Sequence, residues 1–83
     1  MAVKIYGSNL CEDTVAAIEK FDELKLDYEF VNITESMDNL SAFLKIRDND
    51  ENFIPVKERG GVGVPFFVKE DGSGTLDIEE VLS

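Results

Sequence analysis

The hydrophobic period changes twice within the first 33 residues, and that switch constrains the fold more than any other feature of the chain. Val3-Lys4-Ile5-Tyr6 alternates with the period of a strand, and Gly7-Ser8-Asn9 is turn chemistry. Val15, Ile18, Phe21 and Leu24 then recur at helical spacing, with Ala16 and Ala17 among them. Glu19, Lys20, Asp22 and Glu23 take the other face, so the spacing predicts a helix to about Lys25. Tyr28, Phe30, Val31 and Ile33 predict a second strand, rich in aromatic and β-branched residues. Strand, helix, strand is the βαβ unit, whose two strands are expected to be parallel.

The rest of the chain extends this unit without a linker or a repeat. Ser36 is a good N-cap for a second helix, with Met37, Leu40, Phe43 and Leu44 expected to face inward and Lys45 and Arg47 near its C-terminal end. Asp48-Asn49-Asp50-Glu51-Asn52 breaks that helix. A bare loop from there to Gly63 is too long for a compact domain, and Pro55, with Gly60 beyond the end, predicts a short helix over about Pro55 to Arg59. Gly60-Gly61-Val62-Gly63 leads into Val64 to Val68, an apolar run that reads as a strand covered on both faces. After a turn at Glu70 to Gly74, a brief strand at Thr75-Leu76 completes a hairpin. Asp77, with Glu80 three residues on, caps a last helix whose apolar side is Ile78, Val81 and Leu82. Residues 1–83 read as one domain.

Composition narrows the function classes. A hydrophobic fraction of 43% with six Phe suits a globular chain. No stretch approaches the roughly 20 apolar residues of a membrane span, and the start lacks a signal peptide's basic and apolar pattern, so a cytoplasmic protein with no membrane partner is expected. Eighteen acidic against eight basic residues give a net charge of −10, which repels nucleic acid and anionic lipid. With a single cysteine, any disulfide must be to a small thiol or to another protein.

That cysteine, Cys11, sits where the first strand gives way to the first helix. Unpaired backbone N–H groups and the positive end of the helix dipole favour thiolate there, which makes Cys11 a candidate nucleophile; the alternative is a small buried hydrophobe, the commonest role of a free cysteine. A second candidate is Lys69 to Glu80, which has a calcium loop's spacing at Asp71, Ser73, Gly74, Leu76 and Glu80. Lys69 stands where the first carboxylate ligand belongs, and a strand pattern precedes it in place of a helix, so no metal is expected there. Asp48 to Asn52 has ligand spacing too, but Phe53 replaces the turn glycine.

In element order the chain resembles a glutaredoxin, over almost its whole length. Three stretches carry a resemblance to bacterial glutaredoxin-related proteins: Lys4 to Ser8, Phe43 to Asp48, and Gly63 to Pro65, in that order. The resemblance implies a thioredoxin-like (glutaredoxin) α/β fold, with a four-stranded mixed sheet, three main helices and a short extra helix. It implies a cis Val64-Pro65 bond opening the third strand opposite Cys11, and a glutathione site at Leu10, Val64, Pro65 and Asp77, where the Val64 backbone pairs with that of the tripeptide. No tightly bound cofactor is implied. Glutathione is the co-substrate, and a glutathionylated or disulfide-containing protein the partner.

The departures define what chemistry is left. The family's Cys-Pro-x-Cys is Cys11-Glu12-Asp13-Thr14 here, so no second thiol can resolve a disulfide. A monothiol route remains, with Cys11 as nucleophile and the Thr14 hydroxyl as a donor to its thiolate, or as a mere filler of the lost cysteine's space. Glu12 and Asp13 raise a neighbouring thiol's pKa. No basic residue precedes the cysteine, and Thr75-Leu76 replaces the glycine pair that many glutaredoxins carry before Asp77. Bridging an iron–sulfur cluster, as some monothiol glutaredoxins do, requires a motif that Glu12-Asp13-Thr14 matches poorly. The rival reading is a thioredoxin-fold adaptor that binds an extended chain without redox chemistry.

Overall fold

A computed structural model describes residues 3–82. Strand β1 (Val3–Gly7), helix α1 (Glu12–Glu23) and strand β2 (Tyr28–Asn32) form the βαβ unit, and β1 and β2 pair in parallel, with Gly7 opposite Asn32. Helix α2 (Met37–Asn49), a 3-10 turn at Glu51–Phe53 and the short helix α3 (Ile54–Glu58) follow. Strands β3 (Phe66–Val68) and β4 (Gly74–Thr75) form the hairpin, and α4 (Ile78–Leu82) ends the described chain. The sheet order is β2-β1-β3-β4, with β3 antiparallel to both β1 and β4. This is an α/β architecture with a four-stranded mixed sheet, compatible with the thioredoxin-like fold expected. Among the described residues no helix is long and apolar enough to cross a membrane.

The period of two along the central strands sorts their side chains into two cores. Ile5 and Phe67 face α1, where they meet Ala17 and Phe21; the Phe21 and Phe67 rings stack 6.1 Å apart. Tyr6 and Phe66 face the other way, into a cluster with Phe43 of α2, Phe53 and Val56. Phe53 is the centre of that cluster, 5.7 Å from the Phe43 ring and 4.8 Å from Phe66, distances at which aromatic pairs attract.

Several inward assignments shift. In α1 the buried stripe is Thr14, Ala17 and Phe21, and Val15 and Leu24 are exposed, because the helix turns its small residues toward the sheet. In α2 Phe43 is buried with Leu40 and Ile46 packed on the same cluster, while Met37 and Leu44 lie in solvent; a four-stranded sheet covers only a narrow stripe of this helix. Ser36 caps α2 as expected, its Oγ accepting from the Asn39 N–H at 3.1 Å. Pro55 lies in the first turn of α3, and Gly60 follows the helix. The third strand starts at Phe66 and not at Val64, since Val64 and Pro65 stand outside the ladder and proline has no N–H to give it.

At α4 the expected reciprocal cap takes another form. Asp77 Oδ1 accepts from the Glu79 N–H at 3.0 Å, while the Asp77 N–H donates to Thr75 Oγ1 at 3.0 Å. The Thr75 hydroxyl in turn donates to the Glu80 carboxylate, so Glu80 closes the cap through a buried threonine. In the preceding turn Asp71 Oδ1 is occupied by the N–H and hydroxyl of Ser73, at 2.9 and 2.6 Å, and strand β3 enters this loop as the sequence predicts.

Candidate functional site

The loop between β1 and α1 is held from both sides. Cys11 is the N-cap of α1, its backbone extended at φ −104° and ψ 120°; its carbonyl accepts from the Val15 N–H at 3.1 Å and its N–H donates to the Ser8 carbonyl at 3.0 Å. Ser8 is buried, and its Oγ accepts from the Leu10 N–H at 3.0 Å. The same oxygen lies 2.8 Å from Thr34 Oγ1, which spends its one proton on Asn32 Oδ1 at 2.8 Å, so Ser8 is the donor in that pair. The Asn32 amide then donates to Asn9 Oδ1 at 3.2 Å. Parallel pairing of Gly7 with Asn32 places these residues side by side, and the network fixes the turn that presents the thiol.

The thiol is half-buried and its pKa lies below that of an ordinary cysteine. Hydrogen bonding from the Thr14 side chain is the largest cause, followed by the Thr14 N–H; burial opposes them, the Asp13 N–H adds a little and the Asp13 carboxylate subtracts a little. Of the two acids beside Cys11, Asp13 is thus the one whose charge registers at the sulfur, and the donors at the helix start outweigh it. Thr14 is fully buried and also accepts the Ser8 N–H at 3.4 Å, so its hydroxyl links the presenting turn to the sulfur. Its burial depends on Gly7: a Cβ there would stand 2.5 Å from Thr14 Oγ1.

A groove of about 560 Å³ opens between α1, the loop before β3, and α4; Cys11 and Thr14 are not among the residues that line it, and Asp13 is the groove residue nearest to them in the chain. Asp13, Ala17 and Lys20 form one of its walls, Val64 and Pro65 another, and Phe67 underlies it. The Val64-Pro65 peptide is cis, and among the described residues no backbone hydrogen bond ties the N–H or carbonyl of Val64. An unpaired backbone edge beside an apolar floor suits an extended chain, which it would hold as a sheet edge holds an added strand.

The residues expected to share a site are only partly gathered. Val64 and Pro65 face the same groove as Asp13, two residues beyond Cys11. Leu10 is 80% exposed and lies outside the groove lining, and Asp77 also lies outside it, between two residues that line it, Leu76 and Ile78. Lys20 and Arg59 bring two cations to the groove that sequence reasoning did not anticipate. Lys20 was readable, since Asp13, Ala16, Ala17 and Lys20 recur on one helical stripe; nothing local marks Arg59. Among the described residues no group of three or more His, Cys, Asp or Glu is arranged to hold a metal ion.

No family model matches the chain, and no solved structure matches it. It is 30% identical over 77 residues to a protein of Haemophilus influenzae whose description is "uncharacterized protein", the alignment spanning 93% of this chain and 90% of that one. The chain belongs to that protein's family. That relative's description names no activity, so the chemistry rests on Cys11 and the groove.

Proposed function

We propose that the protein is a glutaredoxin-like, glutathione-dependent monothiol-disulfide oxidoreductase acting in the cytoplasm. The observation that carries this reading is the placement of Cys11 at the N-cap of α1, with the buried Thr14 one turn along and Asp13, two residues on, lining a groove bordered by the unpaired backbone of Val64; the lowered thiol pKa is consistent with it. The Cys11 thiolate attacks the glutathione sulfur of a glutathionylated protein; a bond forms between Sγ and that sulfur, and the protein thiolate leaves and takes up a proton. The thiolate of a second glutathione then attacks the bound glutathione sulfur, giving oxidised glutathione and returning Cys11 as thiolate. Glutathione supplies both electrons. With Thr14 where a second cysteine would stand, no internal disulfide competes with this route.

Incubation with oxidised glutathione should add the mass of one glutathione at Cys11, and the reduced protein should turn over a glutathionylated peptide with glutathione as reductant. Cys11→Ser should lose both. The unpaired edge at Val64 also favours the second reading, an adaptor that grips an extended chain without redox chemistry. A thiol pKa at or above that of free cysteine, together with no turnover, would replace the enzyme by the adaptor.

A further inference from the structure

The segment that carries Val64 packs on the Phe53 cluster but is held by few backbone hydrogen bonds. Between the end of α3 and the start of β3 runs Arg59-Gly60-Gly61-Val62-Gly63-Val64-Pro65, with three glycines and no ladder partner. Its first part is tied to α3 through Gly60 N–H to the Lys57 carbonyl at 3.1 Å and Gly61 N–H to the Val56 carbonyl at 2.9 Å. Beyond Gly61, the hydrogen bonds that reach it come from Arg47, in the last turn of α2, on the opposite face of the sheet from α1. The Arg47 Nε–H donates to the Val62 carbonyl at 3.1 Å and the Nη2 group to the Gly61 carbonyl at 2.6 Å. Two adjacent carbonyls are thus gripped by one planar fork, a geometry that a lysine's point charge cannot reproduce.

We propose that Arg47 is a positioning residue for substrate binding: by clamping the Gly61 and Val62 carbonyls it fixes the backbone edge of Val64 on which an extended thiol substrate pairs. The inference rests on the reading of that edge given under the proposed function. Arg47 is not among the residues that line the groove and touches no reacting atom, so its loss should affect binding and leave the thiol alone. A loose edge must be ordered each time a substrate binds, and that cost appears in KM and not in kcat.

The test compares wild type, Arg47→Lys and Arg47→Gln in the full chain. With a glutathionylated peptide as substrate, KM should rise about five- to tenfold in Arg47→Gln, as expected for losing a hydrogen-bond clamp. Arg47→Lys should fall between the two, kcat should stay within about twofold, and the pH profile of Cys11 alkylation should not move. In parallel, backbone amide order parameters should fall from about 0.85 toward 0.6 or below at Val62, Gly63 and Val64 in Arg47→Gln, with α1 unchanged. Arg47→Lys serves as the folded variant if Arg47→Gln does not fold. Unchanged order parameters in the loop would overturn the proposal, and so would an equal loss of order in α1, which marks a general structural role. If the wild type turns over no glutathionylated peptide while the loop still loosens in the variants, the clamp stands and the glutathione reading is what fails.

Discussion

Replacing Gly63 by alanine tests how tightly the loop before β3 is built onto the core. Gly63 has φ +88°, a region that side chains rarely enter, and an added Cβ would stand 2.5 Å from Cε1 and 2.8 Å from Cδ1 of Phe53. Phe53 is fully buried between Phe43 and Phe66, so its ring has no open side to move into. The backbone penalty alone is about 1–2 kcal/mol. Overpacking against a fixed core residue adds about 1–3 kcal/mol, for a total of roughly 2–5 kcal/mol. A domain of 83 residues has a stability on the order of 4–12 kcal/mol, so this substitution removes a large part of it. Gly60→Ala, three residues earlier, is the control: φ is +75° there, but nothing lies within 4 Å of the added carbon, so only the backbone penalty of about 1–2 kcal/mol applies. Urea unfolding followed by far-ultraviolet circular dichroism gives both values. A Gly63→Ala variant no less stable than Gly60→Ala would refute the claim that this loop is seated on Phe53.

Three further outcomes test the thiol and its turn. Thr14→Val keeps the shape and removes the hydroxyl, so the Cys11 pKa should rise and alkylation at neutral pH should slow, whereas Thr14→Ser should restore the wild-type profile. The lowered pKa also links Cys11 to stability: the folded state favours the thiolate, so its stabilising contribution is fully present above the unfolded pKa and is lost as pH falls through the folded one. The stability of wild type relative to Cys11→Ser should therefore increase as pH rises through that window, and an unchanged difference by denaturant unfolding would count against the shift. Ser8→Ala removes the acceptor of the Leu10 N–H and the partner of Thr34, and should cost about 1–3 kcal/mol in the same unfolding assay.

The parts of the fold that were legible in the sequence are those set by short periods. Alternation at Val3 to Tyr6 and helical recurrence through Ala17 and Phe21 required no knowledge of distant residues, and the βαβ unit followed from them. Met37 and Leu44 misled because apolar residues on a helix report a face only if something is there to cover it, and the cluster around Phe43 stops short of both. The site was half legible in the same way. Cys11 and Thr14 were visible because the head of a helix and the spacing of three along it are local facts. The Ser8, Thr34, Asn32 and Asn9 network was not, because residues 26 apart meet only through the parallel register, and the clamp from Arg47 to Gly61 and Val62 joins residues 14 and 15 apart across the predicted short helix, which no local pattern pairs.

A chain of net charge −10, with two acids beside its one thiol, reads at first as hostile to a thiolate. The weighing depends on distance and medium more than on the number of charges. Exposed carboxylates act through water, where a unit charge 4 Å away is worth about 1 kcal/mol and salt weakens more distant ones further. The donors of Thr14 and Asp13 act at hydrogen-bond range, where screening by salt has little room to intervene, and Thr14 is held there by full burial against Gly7. Glu12 and Asp13 meanwhile stabilise the first turn of α1 that carries those donors. The acids thus stabilise the helix start whose donors outweigh the Asp13 charge at the sulfur, so residues that oppose the thiolate directly also help to hold the turn that favours it.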